Sequence, residues 1–98
     1  MLLNLLLSTS DSLNEPNLLV FPNPSANQFE YLLSLPDKQP YVFQIHNATG
    51  ELIYRKSGNP DSEIIKERIS SSQWADGIYY VSVHAGNFLK TLKLLVQK

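Results

Sequence analysis

The sequence contains no cysteine, which excludes disulfides, thiolate metal sites and cysteine nucleophiles. Imidazole is limited to His46 and His84. Glycine occurs only at positions 50, 58, 77 and 86, too dispersed for a loop that cradles phosphate. Charged residues make up 17% of the chain and the formal net charge is −1. That balance excludes a coiled coil, a charged disordered tail and a polycationic nucleic-acid binder. No stretch approaches the ~20 apolar residues of a transmembrane helix. What remains is a chain of 98 residues, 43% hydrophobic, enough for one small domain with a modest core.

The opening is leucine-rich, Met1–Leu7, and turns polar through Ser8–Ser12. A secretory signal peptide needs a basic region ahead of an uninterrupted apolar stretch. Here Asn4 interrupts the run and the first basic residue is Lys38, so Met1–Leu7 reads as a strand or as the end of a preceding segment. Residues Ser8–Asn17 are polar with one proline, which is linker composition. We therefore divide the chain into an N-terminal segment and linker, 1–16, and a compact domain, 17–98.

Within that domain, apolar segments alternate with turn chemistry. Asn17–Phe21 stops at Pro22-Asn23-Pro24, because proline has no N–H for a sheet ladder. Gln28–Leu35 places Phe29, Tyr31, Leu33 and Leu35 on one face. Tyr41–Asn47, the turn Asn47–Gly50 and Glu51–Lys56 form a hairpin pattern. Gly77–His84 sets Tyr79, Val81 and Val83 against Tyr80, Ser82 and His84. Asn87–Gln97 puts Leu92, Leu94 and Val96 on one side. Asp61–Trp74 fits a helix capped by Asp61, with Ile65 and Ile69 at i,i+4, and equally a strand followed by a turn. The pattern predicts an all-β fold: an antiparallel, immunoglobulin-like β-sandwich of about seven short strands.

Catalytic equipment is sparse. No Gly-x-Ser-x-Gly elbow, His-x-x-x-His pair, Asp-x-Asp-x-Asp-Gly loop or carboxylate cluster occurs. His46 and His84 sit in alternating strand patterns and read as solvated strand residues. Glu63 and Glu67 would share a face only on a helix, where a solvated like-charged face is the simpler reading. Asn47-Ala48-Thr49 matches a glycosylation sequon, but turn chemistry explains it better. Seven cations against five acids in residues 51–98 is ordinary surface charge, so we expect no nucleic-acid partner; because no nucleophile–base pair or metal set can be assembled, we expect no cofactor and no enzymatic activity. Trp74, Tyr54 and Tyr80 invite an alternative reading, an accessory sandwich module that binds carbohydrate or packs on a catalytic domain.

Four segments together resemble a known family. Leu18–Val20 and Phe21-Pro22-Asn23-Pro24 look like the opening motif of the type A C-terminal sorting domains of the type IX (Por) secretion system of Bacteroidota. Phe43–Ile53, with its Asn47 and Gly50, resembles the family's central hairpin. Ile69–Val83, containing Trp74, Gly77 and Tyr79, is similar to its Ile-x-x-Ser-x-Leu-x-x-Gly-x-Tyr signature, with tryptophan in place of the usual leucine. Leu92–Lys98 looks like its lysine-flanked aliphatic terminal strand. Each motif is weak alone; their order over about 80 residues is specific.

The resemblance implies a non-catalytic domain that directs an attached cargo from the periplasm across the outer membrane, to the surface or the medium. A sortase-like peptidase would then cut it off, within Ser8–Glu15. The implied partners are the outer-membrane secretion machinery, that peptidase and an N-terminal cargo domain. Such domains normally end a large cargo, so the chain is expected to be an excised piece or the product of a truncated gene. The sorting motif comprises Pro22, Asn23, Pro24, Gly50, Gly77, Tyr79, Lys93, Leu94, Val96 and Lys98. Of these, Lys93 and Lys98 are expected to lack a packing role and to face acidic machinery. A terminal strand at a sheet edge would add strand pairing to a partner, or a weak edge-strand dimer.

Overall fold

Alternating apolar residues bury one face of a strand and leave the other in water, so the apolar faces must be covered by a second layer, here another sheet. A computed structural model describes residues 15–98; Met1–Leu7 and nearly all of the proposed cleavage linker lie outside the described residues. Seven strands follow in chain order: β1 Asn17–Phe21, β2 Gln28–Ser34, β3 Tyr41–Asn47, β4 Leu52–Gly58, β5 Ile64–Ser70, β6 Gly77–Ala85 and β7 Phe88–Val96. They build a three-stranded sheet, β1-β2-β5, and a four-stranded sheet, β4-β3-β6-β7. All ladder pairs are antiparallel.

The ambiguous segment at 61–74 resolves as strand β5 with a turn after it. Ile65 and Ile69 point inward there, and Phe29 of β2 lies opposite Ile69. A helix would have left the β2 edge without its partner, which decides between the two readings.

The inward faces meet in one core. Phe29, Tyr31, Leu33 and Leu35 from the first sheet pack on Phe43, Ile45, Val81, Val83, Leu94 and Val96 from the second. Tyr31 and Phe43 stack face to face across the layers, with ring centroids 4.0 Å apart, an arrangement worth about 0.5–1.5 kcal/mol beyond burial itself. At one rim, Lys56 of β4 bonds Glu67 of β5, whose other carboxylate oxygen accepts the Tyr31 hydroxyl at 3.3 Å. Burial, and secondarily the nearby Glu67 carboxylate, push the Tyr31 hydroxyl far above the usual tyrosine range. The hydrogen bond to Glu67 raises the Lys56 ammonium likewise. The opposite rim brings β1 beside β7, where the Lys90 ammonium donates to Asn17 Oδ1 at 2.8 Å.

Candidate functional site

Pro22 and Pro24 end the β1 ladder by removing two donors, and the chain between and after them crosses to the other sheet. Both peptide bonds preceding these prolines are cis. The crossing brings residues 23–25 against the outer edge of β7. Alternation along β7 turns the main-chain groups of Lys93, Leu95 and Gln97 away from β6, and each finds a partner in the crossing segment. The Asn23 side-chain amide donates to the Lys93 carbonyl at 2.8 Å, and its oxygen accepts the Leu95 N–H at 3.0 Å. Main-chain pairing continues at Ser25, whose N–H donates to the Leu95 carbonyl at 2.8 Å and whose carbonyl accepts the Gln97 N–H at 2.7 Å. Ser25 thus forms a parallel bridge with Val96. The opening motif and the terminal strand, about 70 residues apart in sequence, thus touch, a contact that no residue pattern marks.

This pairing corrects one expectation. β7 is an edge strand, yet its C-terminal half is already covered by the chain's own residues 23–25. Strand addition there would have to displace four hydrogen bonds. Toward Leu89 and Thr91 no such cover exists among the described residues.

The terminal lysine also behaves otherwise than expected. Lys98 is exposed yet bonded within the chain: its ammonium donates to the Ser72 carbonyl at 2.9 Å and to the Trp74 carbonyl, while its N–H donates to Asp76 Oδ1 at 3.3 Å. Lys93 differs. Its side chain is exposed, and its ammonium has no hydrogen-bonded partner among the described residues.

The loop that receives Lys98 leads into β6. Gly77 opens that strand at φ +150°, a conformation that side chains rarely adopt. Two residues on, buried Tyr79 directs its hydroxyl back to the Ala75 carbonyl at 2.7 Å. A tyrosine near the start of a sandwich strand, bonded to backbone just upstream, ties the corner to the strand. Trp74 lies between Phe29 and Tyr79, at centroid distances of 5.8 and 5.0 Å, so the loop is anchored in the core. Leu94 and Val96 are fully buried and hold β7 from inside.

Gly50 serves the β3–β4 turn with φ +88°. Asn47 organises the same turn: its side-chain oxygen accepts the N–H groups of Thr49 and Glu51 and the Thr49 hydroxyl, at 3.1, 2.8 and 2.8 Å. The asparagine of the sequon is thereby engaged in turn geometry. Gly50 lies apart from the β1–β7 rim, at the far end of the hairpin.

The carbohydrate platform is not assembled. Trp74 packs edge-on to Phe29, Tyr54 packs edge-on to Phe43 at 6.0 Å, and Tyr80 alone faces outward. Three rings on three different environments offer no shared stacking plane. His46 and His84 lie on the outer face of the four-stranded sheet, opposite Tyr80 and Val42 respectively.

No curated protein matches the chain. Residues 19–97 match the family model described as the secretion system C-terminal sorting domain. That span holds β1 from its third residue, all of β2–β7 and every side chain of the 23–25 crossing, and it makes this chain a member of that family of type IX secretion sorting signals.

Proposed function

We propose that the domain is a non-catalytic export signal whose readable form is the folded unit, with its opening and terminal motifs joined into one element. The observation that carries this is the Asn23 side chain bonded to Lys93 and Leu95. Through it, the first and last strands present a single surface, and the terminal segment is held in strand geometry. The domain would carry an N-terminal cargo through the periplasm and across the outer membrane of a bacterium of the Bacteroidota, then be removed by a sortase-like peptidase within Ser8–Glu15. Recognition uses β6, β7 and the Lys93–Lys98 segment. The three-plus-four strand order, the crossing of residues 23–25 from the first strand to the second sheet and the Tyr79 corner support the immunoglobulin-like reading of the sandwich.

A reporter carrying an export signal peptide, fused ahead of this chain in a host with the type IX apparatus, tests the reading. Delivery outside the cell, lost on deleting Leu94–Lys98, is the expected result. Delivery unchanged by that deletion would refute recognition through the terminal segment.

A further inference from the structure

The outward side chains of the four-stranded sheet form an unusual surface. Among the described residues, nine large hydrophobic side chains are exposed. Six of them, Leu52, Ile53, Ile78, Tyr80, Leu89 and Leu95, lie on this one face or on its bulged edge strand. Tyr80 sits at its middle, opposite His46 on one side and Lys93 on the other, and one step along stand Ile78 and Leu95.

Charge sharpens the picture. The four strands turn Arg55 and Lys93 outward and contribute no carboxylate to this face. Neither cation forms a salt bridge among the described residues. Rim carboxylates are engaged locally: Glu51 accepts from Asn47 Nδ2 at 3.0 Å, and Asp76 from the Lys98 N–H. The three-stranded sheet is different, since Glu30 lies between Lys66 and Arg68, at 4.0 and 3.9 Å, and compensates them.

We propose that the outer face of the four-stranded sheet, centred on Tyr80, docks a protein surface that presents carboxylates around an apolar centre. The inference rests on the export reading and gives its partner a chemical class. An apolar, aromatic centre flanked by basic groups matches the make-up of protein-binding surfaces, where tyrosine and arginine supply much of the binding energy. A membrane surface fits less well, because electrostatic lipid binding draws on clusters of about four to eight cations and this face has two. Contiguity with the covered β7 edge places the surface on the strands that carry the terminal motif.

The test uses the whole chain fused to an exported reporter in a type IX-competent host. Tyr80→Ser, and Arg55→Glu with Lys93→Glu, are each expected to cut delivery about tenfold or more, as loss of an interface anchor does. Lys93→Arg is expected to retain delivery. Lys66→Glu with Leu19→Ser, on the opposite sheet, is the matched control and is expected to leave it unchanged. Thermal melting of each purified domain establishes that the fold persists. Parental delivery by the Tyr80 and charge-reversal variants, with the parent exported, would overturn the docking surface alone. A parent fusion that stays in the cell would overturn the export reading and this inference with it. Co-flotation of the purified domain with phosphatidylglycerol vesicles, abolished by the charge reversal, would overturn the protein partner in favour of lipid.

Discussion

The side-chain amide of Asn23 occupies the place of a strand's main-chain amide beside Leu95, accepting its N–H at 3.0 Å while donating to the Lys93 carbonyl at 2.8 Å. Asparagine is suited to this because its side chain carries the same donor and acceptor pair as a peptide group. Proline on either side supplies no donor, and beside Leu95 the pairing is made by the Asn23 side chain until the main chain of Ser25 takes over. An edge strand with open N–H and C=O groups invites pairing with other chains. The chain's own opening motif therefore closes the most apolar half of its last strand.

Replacing Asn23 with alanine removes both bonds and leaves the Lys93 carbonyl and Leu95 N–H to solvent. The expected loss is about 1–2 kcal/mol, at roughly 1 kcal/mol per net hydrogen bond, measured by urea unfolding. Amide exchange at Leu95 and Gln97 should accelerate relative to the rest of β7. The uncovered edge should also self-associate in sedimentation at high concentration. Asn23→Asp keeps the acceptor for Leu95 but loses the donor to Lys93, and should fall between parent and alanine. Unchanged exchange at Leu95 in Asn23→Ala would show that Ser25 alone holds the edge.

Tyr79→Phe isolates the corner. The substitution keeps the buried ring against Trp74 and deletes only the hydroxyl bonded to the Ala75 carbonyl. A cost of about 1–1.5 kcal/mol is expected, with a change in Trp74 fluorescence as the loop loosens. A melting temperature equal to the parent's would mean that the Trp74 and Phe29 rings anchor the loop without help.

Much of this fold is legible in the sequence because buried strands announce themselves with period two. Phe29 to Leu35 and Tyr79 to Val83 lie where alternation places them. Ile65 and Ile69 defeated the same logic, since a spacing of four is both one helical turn and two strand repeats. The β2 edge, not local propensity, settled it. The Asn23 clamp and the Lys98 dock were illegible for another reason: each joins a side chain to main-chain groups in a distant segment, and main-chain groups leave no mark in a residue pattern. The outward direction of Tyr80 was readable from alternation, whereas its separation from Trp74 and Tyr54 depended on how the loop and β4 turn into the core.

Lys98 separates docking from recognition. Lys98→Met keeps the apolar stem but removes the ammonium that the Ser72 and Trp74 carbonyls receive. Because the site is exposed, the stability cost should stay below about 1 kcal/mol. Heteronuclear spectra should show shifts confined to residues 72–76 and the end of β7. Lys93→Met, whose ammonium has no intramolecular partner, should leave both stability and those resonances unchanged.

Alkaline pH provides a test of the Tyr31–Glu67–Lys56 rim. Both titrating groups are raised in the folded state, Tyr31 chiefly by burial and Lys56 chiefly by its bond to Glu67. The unfolded chain therefore releases their protons first as pH rises above about 10. There the folded state holds more protons than the unfolded one, so stability must decline with increasing pH. The contribution of both groups is fully present below that point and is lost progressively above it. Urea unfolding between about pH 8 and pH 11 should show a flat region followed by a falling limb. Tyr31→Phe removes one of the two raised groups while preserving the stack on Phe43, so its limb should be shallower than the parent's. An identical limb in Tyr31→Phe would place the alkaline loss elsewhere and show that the Tyr31 hydroxyl ionises as readily in the sandwich as in the open chain.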